Sequence, residues 1–212
     1  MFDTVLFDLD GTLTQSGIGI TRSVAHSLRK FGIVETDQTK LDRFVGPPLI
    51  DSYMRYYGFC REQAVQAVAY YREYYASTGI FENRVYDGVE SMLQALQKAG
   101  KTCILATSKP EHYAVQILEH FGLSDYFAFV AGATMDETRT GKADVIAYAL
   151  KKAGHPDHAV MVGDREHDVL GARANGLPAI GVLYGYGSRE ELEQAGAAWI
   201  AETAEDIVNY IF

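Results

Sequence analysis

From Tyr86 onward the chain alternates short apolar runs with helical stretches, and that alternation limits the fold more than any other feature. Thr102 to Ala106, Phe127 to Ala131, Ala159 to Val162 and Ala179 to Val182 read as strands, with a last short one at Ala198 to Ile200. Between them lie helical patterns: from Asp87 (as N-cap) to about Ala99, from the turn Thr107-Ser108-Lys109-Pro110 to about Phe121, and from Gly141-Lys142 to about Ala153. Further helices are expected around Val169 to Ala174, after Ser188, and over Ala204 to Tyr210. Apolar strands joined by helices form a parallel sheet that is covered on both faces. Thr4 to Phe7, β-branched and aromatic, is the first strand of that sheet.

Nothing between Gln15 and Glu82 reads as a strand. Ile20, Val24, Leu28 and Phe31 share one helical face, with Gly32 as the stop. Shorter helices follow at about Gln38 to Phe44, Leu49 to Tyr57 and Arg61 to Ser77, separated by Val45-Gly46-Pro47-Pro48 and Gly58. Gln15 to Gly19, rich in Ser and Gly, reads as a mobile flap. The expected architecture is therefore α/β, a doubly wound parallel sheet of Rossmann-like kind formed by residues 1–14 and 84–212, with an inserted all-helical domain over 15–83. Charge follows the same division. Thr14 to Asn83 holds eight basic and seven acidic residues, a net +1, which leaves −10 of the total −9 for the rest.

That negative balance argues against a nucleic-acid polymer as partner, because phosphate backbones call for a basic surface. The longest apolar runs fall far short of the roughly 20 residues that cross a bilayer, so no membrane partner is expected. Asp3 arrives too early for a signal-peptide pattern. Cys60 and Cys103 are the only cysteines and read as reduced thiols, which points to a cytoplasmic protein.

Ligands of open parallel sheets bind outside the carboxyl ends of the strands, and four strand ends here carry polar residues. The first delivers Asp8 and Asp10, which period-2 geometry places on one side of the backbone. Like charges that close demand a cation or a shared proton. Later strands deliver Thr107 and Ser108, then Lys142 at a helix start, then Gly163, Asp164 and Asp168. Taken singly each has a bland reading: a hairpin turn at Asp10-Gly11, a helix cap at Thr107-Ser108, a solvated lysine, a helix-start acid. Taken together in this order they describe chemistry. Several carboxylates with oxygen-only ligation suit Mg²⁺, a hydroxyl with free N–H groups suits phosphate oxygens, and a lysine balances a transferring phosphoryl group. One Asp can then attack phosphorus while a second moves protons.

Asp8-Leu9-Asp10-Gly11-Thr12-Leu13 resembles the signature of the haloacid dehalogenase (HAD) superfamily. Thr107-Ser108, Lys142 and Gly163-Asp164-Arg165-Glu166-His167-Asp168 resemble its second, third and fourth motifs, and the helical insertion resembles its helical cap. The resemblance implies Asp8 as nucleophile and Mg²⁺ ligand, and Asp10 as general acid/base that also gives its backbone carbonyl to the metal. It implies Thr107 and the Ser108 amide as phosphoryl contacts and Lys142 as charge balance. Asp164 would bind the metal directly, and Asp168 would bind it through water or orient that shell. Within the superfamily the chain is most similar to the phosphoglycolate-phosphatase-like group, particularly members described as 5′-nucleotidases, on Ser16-Gly17 through Gly32, Val45 through Leu49, Tyr71 through Tyr75 and Ala106 through Pro110. Many relatives have Asp where Gln15 stands, and Lys-Pro where Lys142 is followed by Ala143.

The expected activity is thus Mg²⁺-dependent hydrolysis of a small phosphorylated metabolite, a nucleoside 5′-monophosphate first and 2-phosphoglycolate second, by a monomer or homodimer. A β-phosphoglucomutase-like phosphomutase and a catalytically silent module on the same fold are the competing readings; dehalogenation is disfavoured by Asp10. Seven of the 14 tyrosines fall in the insertion, where packing between helices is favoured over stacking on a nucleobase. Arg43 and Gly46 are expected substrate contacts, and Lys109 is expected to shape the turn after Thr107. The six histidines offer no metal-ligand spacing.

Overall fold

The computed structural model describes residues 1–136 and 138–212. The chain divides into two compact units, Met1–Thr14 with Val85–Phe212, and Gln15–Arg84.

The first unit is built on a six-stranded sheet: β1 (Thr4–Phe7), β2 (Thr102–Pro110), β3 (Phe127–Ala133), β4 (Ala159–Gly163), β5 (Ala179–Val182) and β6 (Trp199–Ala201). Their spatial order is β3-β2-β1-β4-β5-β6, and every pair is parallel. The order reverses between β1 and β4, the place where doubly wound sheets open a crevice for ligands. Helices α5 (Val89–Lys98), α6 (Glu111–His120), α7 (Lys142–Lys152), α8 (Glu166–Ala174) and α9 (Arg189–Ala195) lie between the strands in sequence, and α10 (Ala204–Ile211) follows β6. Leu6, Ile104 and Met161 project from neighbouring strands into one buried cluster with Val145, Ile146 and Ala149 of α7 and Val169 and Ala172 of α8. Side chains alternate along a strand, so Val5 and Phe7 belong to the opposite face, where α5 packs against β2 and α10. Both are fully buried, which is why β1 is an unbroken apolar run.

Several element boundaries differ from the pattern in the sequence, each for a physical reason. β2 runs on through Thr107–Pro110, where a turn is expected; it keeps pairing with β3 as far as Pro110 opposite Ala133, across a register irregularity after Ala106. α5 begins at Val89 rather than after an Asp87 cap, because the cap position falls to Gly88 at φ +80°. α8 begins three residues early, at Glu166. The Asp168 side chain reaches back to accept the Arg165 N–H at 3.1 Å, so the first turn is already capped.

The second unit is all-helical: α1 (Gly17–Lys30), α2 (Gln38–Asp42), α3 (Leu49–Tyr57), α4 (Arg61–Tyr75) and a 3₁₀ turn at Gly79–Phe81. Of the stretch expected to be a mobile flap, Gly17 to Gly19 lie in the first turn of α1, with both glycines buried. Gly19 serves close approach: a Cβ there would stand 1.8 Å from the Gly79 carbonyl oxygen. α4 packs on α1 and α3, and the Ser27 hydroxyl donates to the Ala67 carbonyl at 2.7 Å across that contact. Phe44, Tyr53 and Phe59 form an aromatic core, with ring centroids 4.9 Å apart for Phe44–Tyr53 and 5.9 Å for Tyr53–Phe59. Tyr53, Tyr71 and Tyr75 are buried, and the last two stack at 5.1 Å. Tyrosine hydroxyls at the rim donate to acids of the same unit, Tyr57 to Glu35 and Tyr74 to Glu82, each at 3.2 Å. These tyrosines make internal contacts of the helical unit.

No helix among the described residues is long and apolar enough to cross a membrane.

Candidate active site

Strand register sets the site. Phe7 pairs with Leu105 on one side and Val162 on the other, so Asp8 stands level with Ala106 and Gly163, where β1 and β4 end and β2 runs on. Its N–H donates to the Val162 carbonyl at 2.9 Å. Beyond Asp8 the chain does not make a hairpin at Asp10-Gly11. The Leu9 carbonyl accepts from the Leu13 and Thr14 N–H groups, both at 3.0 Å, and Gly11 turns at φ +89°. That compact loop holds Asp10 beside the end of β1.

Asp8, Asp164 and Asp168 converge: one carboxylate oxygen from each lies within 4.8 Å of the other two. All three are buried, at 5%, 0% and 1% exposure. Burial, countered by Lys142 and reinforced by Asp168, pushes the Asp8 carboxyl up to about 6. Burial, then Asp168 and Asp8, raise that of Asp164 well above the usual carboxylate range. These shifts mark anions gathered with too little positive charge.

Lys142, from the first turn of α7, supplies part of the compensation. Its Nζ lies 2.6 Å from Asp8 Oδ1 and 2.7 Å from Asp168 Oδ1, and donates to the Ala106 carbonyl at 3.1 Å. Burial opposes its charge, but the two carboxylates outweigh burial and raise its pKa. One ammonium thus lies between two carboxylate oxygens and neutralises part of the charge of both. Asp168 therefore does two things: Oδ2 caps α8 and Oδ1 faces Lys142.

Thr107 is buried within β2, three residues before its end, and its hydroxyl oxygen accepts the Lys109 N–H at 3.2 Å. Ser108, half-buried, follows it. Lys109 does more than shape this turn: its side chain reaches Asp10, with Nζ 2.6 Å from Oδ2. This is the largest omission of the sequence reading, because no local pattern joins residues 99 apart.

A second omission is the loop after β5. The Tyr186 N–H donates to Asp164 Oδ2 at 2.8 Å, and the Tyr184 hydroxyl donates to the Thr12 carbonyl at 3.0 Å. A Cβ on Gly185 would stand 2.4 Å from the Asp164 Cβ and from the Gly11 carbonyl oxygen. The loop thus wraps Asp164 closely, holding Oδ2 and leaving Oδ1 buried without a hydrogen bond. A Gly-X-Gly stretch two residues after an apolar strand, Gly185-Tyr186-Gly187, is the signal that could have found it. At the same end of the sheet Arg165 Nε pairs with Glu191 Oε1 at 2.8 Å, which ties the start of α8 to α9.

The donor set fits a divalent cation. Asp8, Asp164 and Asp168 offer hard oxygens, Asp164 Oδ1 is a buried acceptor with no donor, and Mg²⁺ favours one or two carboxylates with water and phosphate oxygens. With all four aspartates ionised, Lys109 and Lys142 leave a formal −2 that one such ion cancels. The Asp10 side chain stands outside that cluster, paired with Lys109.

Arg43 and Gly46 belong to the helical unit, where the Arg43 guanidinium lies 5.7 Å from the Tyr56 ring centroid and Gly46 turns at φ +102°. His155, His158 and His167 are exposed.

A family model of haloacid dehalogenase-like hydrolases matches residues 5–182. A 5′-nucleotidase of Pseudomonas aeruginosa is 46% identical over 192 residues, 90% of this chain and 87% of that protein. A protein of Mycobacterium tuberculosis named tyrosine-protein kinase PtkA is 39% identical over 94% of this chain and 68% of its own length. Among solved structures, a predicted phosphatase from Clostridium acetobutylicum superposes with a TM-score of 0.96 at 49% identity, covering 100% of this chain and 98% of that one. The chain belongs to the haloacid dehalogenase-like hydrolases and is, by class, a phosphoric monoester hydrolase.

Proposed function

We propose that this chain is an Mg²⁺-dependent phosphomonoesterase that acts through an aspartyl-phosphate on Asp8, with a nucleoside 5′-monophosphate as first substrate class and 2-phosphoglycolate as second. The observation that carries the reading is the Asp8 carboxylate held at the switch point of the sheet, 2.6 Å from Lys142 and within 4.8 Å of Asp164 and Asp168 oxygens. The 46% identity to a 5′-nucleotidase supports the substrate class.

An Asp8 oxygen attacks phosphorus and the phosphorus–ester oxygen bond breaks, while Asp10 gives its proton to the leaving alkoxide. Water then attacks phosphorus, Asp10 takes the proton, and the acyl-phosphate bond opens to inorganic phosphate and the Asp8 carboxylate. Lys142 lowers the cost of charge on the equatorial phosphoryl oxygens, and Thr107 with the Ser108 N–H orients them. When bound, Mg²⁺ masks the charge of Asp8 and of the phosphate, so that two anions can meet; Asp8, Asp164 and Asp168, with the Asp10 carbonyl, would hold it. Arg43 and Gly46 are the proposed contribution of the helical unit to substrate recognition.

The test is a Mg²⁺-supplemented screen of phosphorylated metabolites, with kcat/KM for each and EDTA as reversal. One dominant substrate names the enzyme. Transfer of the phosphoryl group to an added sugar phosphate without release of inorganic phosphate would replace hydrolysis by the mutase reading, and no turnover on any ester would leave the silent-module reading.

A further inference from the structure

Lys109 places a second, nearly covered ammonium beside the aspartates, and the chemistry of Asp8, Thr107 and Lys142 does not use it. Its side chain is 6% exposed, and Nζ meets Asp10 Oδ2 at 2.6 Å, the short range of a charge-assisted hydrogen bond. The two lysines divide the carboxylates between them: Lys142 faces Asp8 and Asp168, and Lys109 faces Asp10.

The backbone of Lys109 is fixed on both sides. Its N–H donates to the Thr107 hydroxyl oxygen, and Pro110 next to it makes the last register pair of β2 with Ala133. Asp10 is fixed by the compact loop over the Leu9 carbonyl. A stiff lysine thus grips one oxygen of a buried carboxylate, and the other oxygen, Oδ1, is buried with no hydrogen bond. A proton donor works only when its transferable oxygen is in reach of the leaving group, and a small misplacement costs one to two orders of magnitude. An unpaired buried carboxylate would also swing or draw in water.

We propose that Lys109 is a positioning residue for Asp10: it clamps Oδ2 and so keeps Oδ1 free and oriented for proton transfer. The inference rests on Asp10 being the general acid of the phosphatase reaction.

The test compares two esters. The phenolate of p-nitrophenyl phosphate leaves without a proton, whereas the primary alkoxide of uridine 5′-monophosphate (or of 2-phosphoglycolate, where the wild type prefers it) needs one. The constant kcat/KM reports the first irreversible step, in which that leaving group departs. Lys109→Met should lower kcat/KM roughly 10–100-fold on the alkyl ester and under about 3-fold on the nitrophenyl ester. Lys109→Arg, which keeps the cation, should stay within about 5-fold of wild type on both. Should Lys109→Met fail to fold, Lys109→Gln carries the same two-ester comparison. Equal losses on both esters, or no loss on the alkyl ester, would overturn the positioning role. An Asp10→Asn variant without the same ester dependence shows instead that Asp10 is not the acid, and a wild type that cleaves neither ester overturns both readings.

Discussion

Lys142 Nζ and Asp8 Oδ1 stand 2.6 Å apart with both side chains under a tenth exposed. The lysine comes from the start of α7 and the aspartate from the end of β1, so two distant parts of the chain meet at one buried charge pair. Removing the cation leaves Asp8 and Asp168 as uncompensated buried anions. Lys142→Met should reduce kcat by about 10²–10³-fold and raise the metal-free protein's sensitivity to urea. Steady-state kinetics and chemical melts check both effects.

Asp164 depends on the closeness of the loop that wraps it. Gly185→Ala would drive a methyl against the Asp164 Cβ and the Gly11 carbonyl oxygen, both 2.4 Å from the new atom. Displacing a support of a metal ligand typically costs about 10–100-fold in metal affinity. Calorimetric titration of metal-free protein with Mg²⁺ should therefore show a weaker dissociation constant by that factor; unchanged affinity would mean that the loop does not set the position of Asp164.

The raised Asp8 carboxyl has a pH consequence. Its folded value of about 6 exceeds the ordinary 3.8, so the folded state binds this proton more tightly than the unfolded chain. The resulting stability is present below about pH 4 and is lost as pH rises through about 6. In metal-free protein, the Tm of wild type relative to Asp8→Asn should fall over that window. Millimolar Mg²⁺ should raise the wild-type Tm more at about pH 7.5 than at about pH 5, because ligands must be deprotonated to bind. Differential scanning fluorimetry across pH, with and without Mg²⁺, reads both.

Within the helical unit, Gly19→Ala should destabilise by about 1–3 kcal/mol, because its Cβ would lie 1.8 Å from the Gly79 carbonyl oxygen and backbone must move to admit it. Gly32→Ala is the contrast: no atom lies within 4 Å of its Cβ, so its cost is only that of φ +74°. A larger Tm loss for Gly19→Ala than for Gly32→Ala is the expected result.

The parallel sheet and the four polar strand ends were legible because each rests on local order: an apolar run that must be buried, then polar residues that must lie outside it. Asp8, Thr107, Lys142, Asp164 and Asp168 could be placed at one end of the sheet on that ground, and the register that levels Phe7 with Leu105 and Val162 gathers the strand-end residues among them. What stayed hidden depends on distance through the fold. Lys109 looked like a turn residue since its partner, Asp10, is 99 positions away and a lysine side chain reaches far from its backbone. The loop at Tyr184 to Gly187 carries no charged residue that would draw notice, because its contribution is close backbone approach to Asp164. The Ser/Gly stretch reads as flexibility, whereas Gly19 permits close packing against the 3₁₀ turn; composition alone cannot separate those two uses of glycine.

The central claim is that Asp8 carries the phosphoryl group. Rapid acid quench of the Mg²⁺-loaded enzyme with ³²P-labelled substrate, followed by proteolysis, tests it directly. The label should sit on the peptide containing Asp8, be released by hydroxylamine as an acyl phosphate is, and be absent from Asp8→Asn, which should also lose turnover. Label on any other residue, or full turnover by Asp8→Asn, would contradict it.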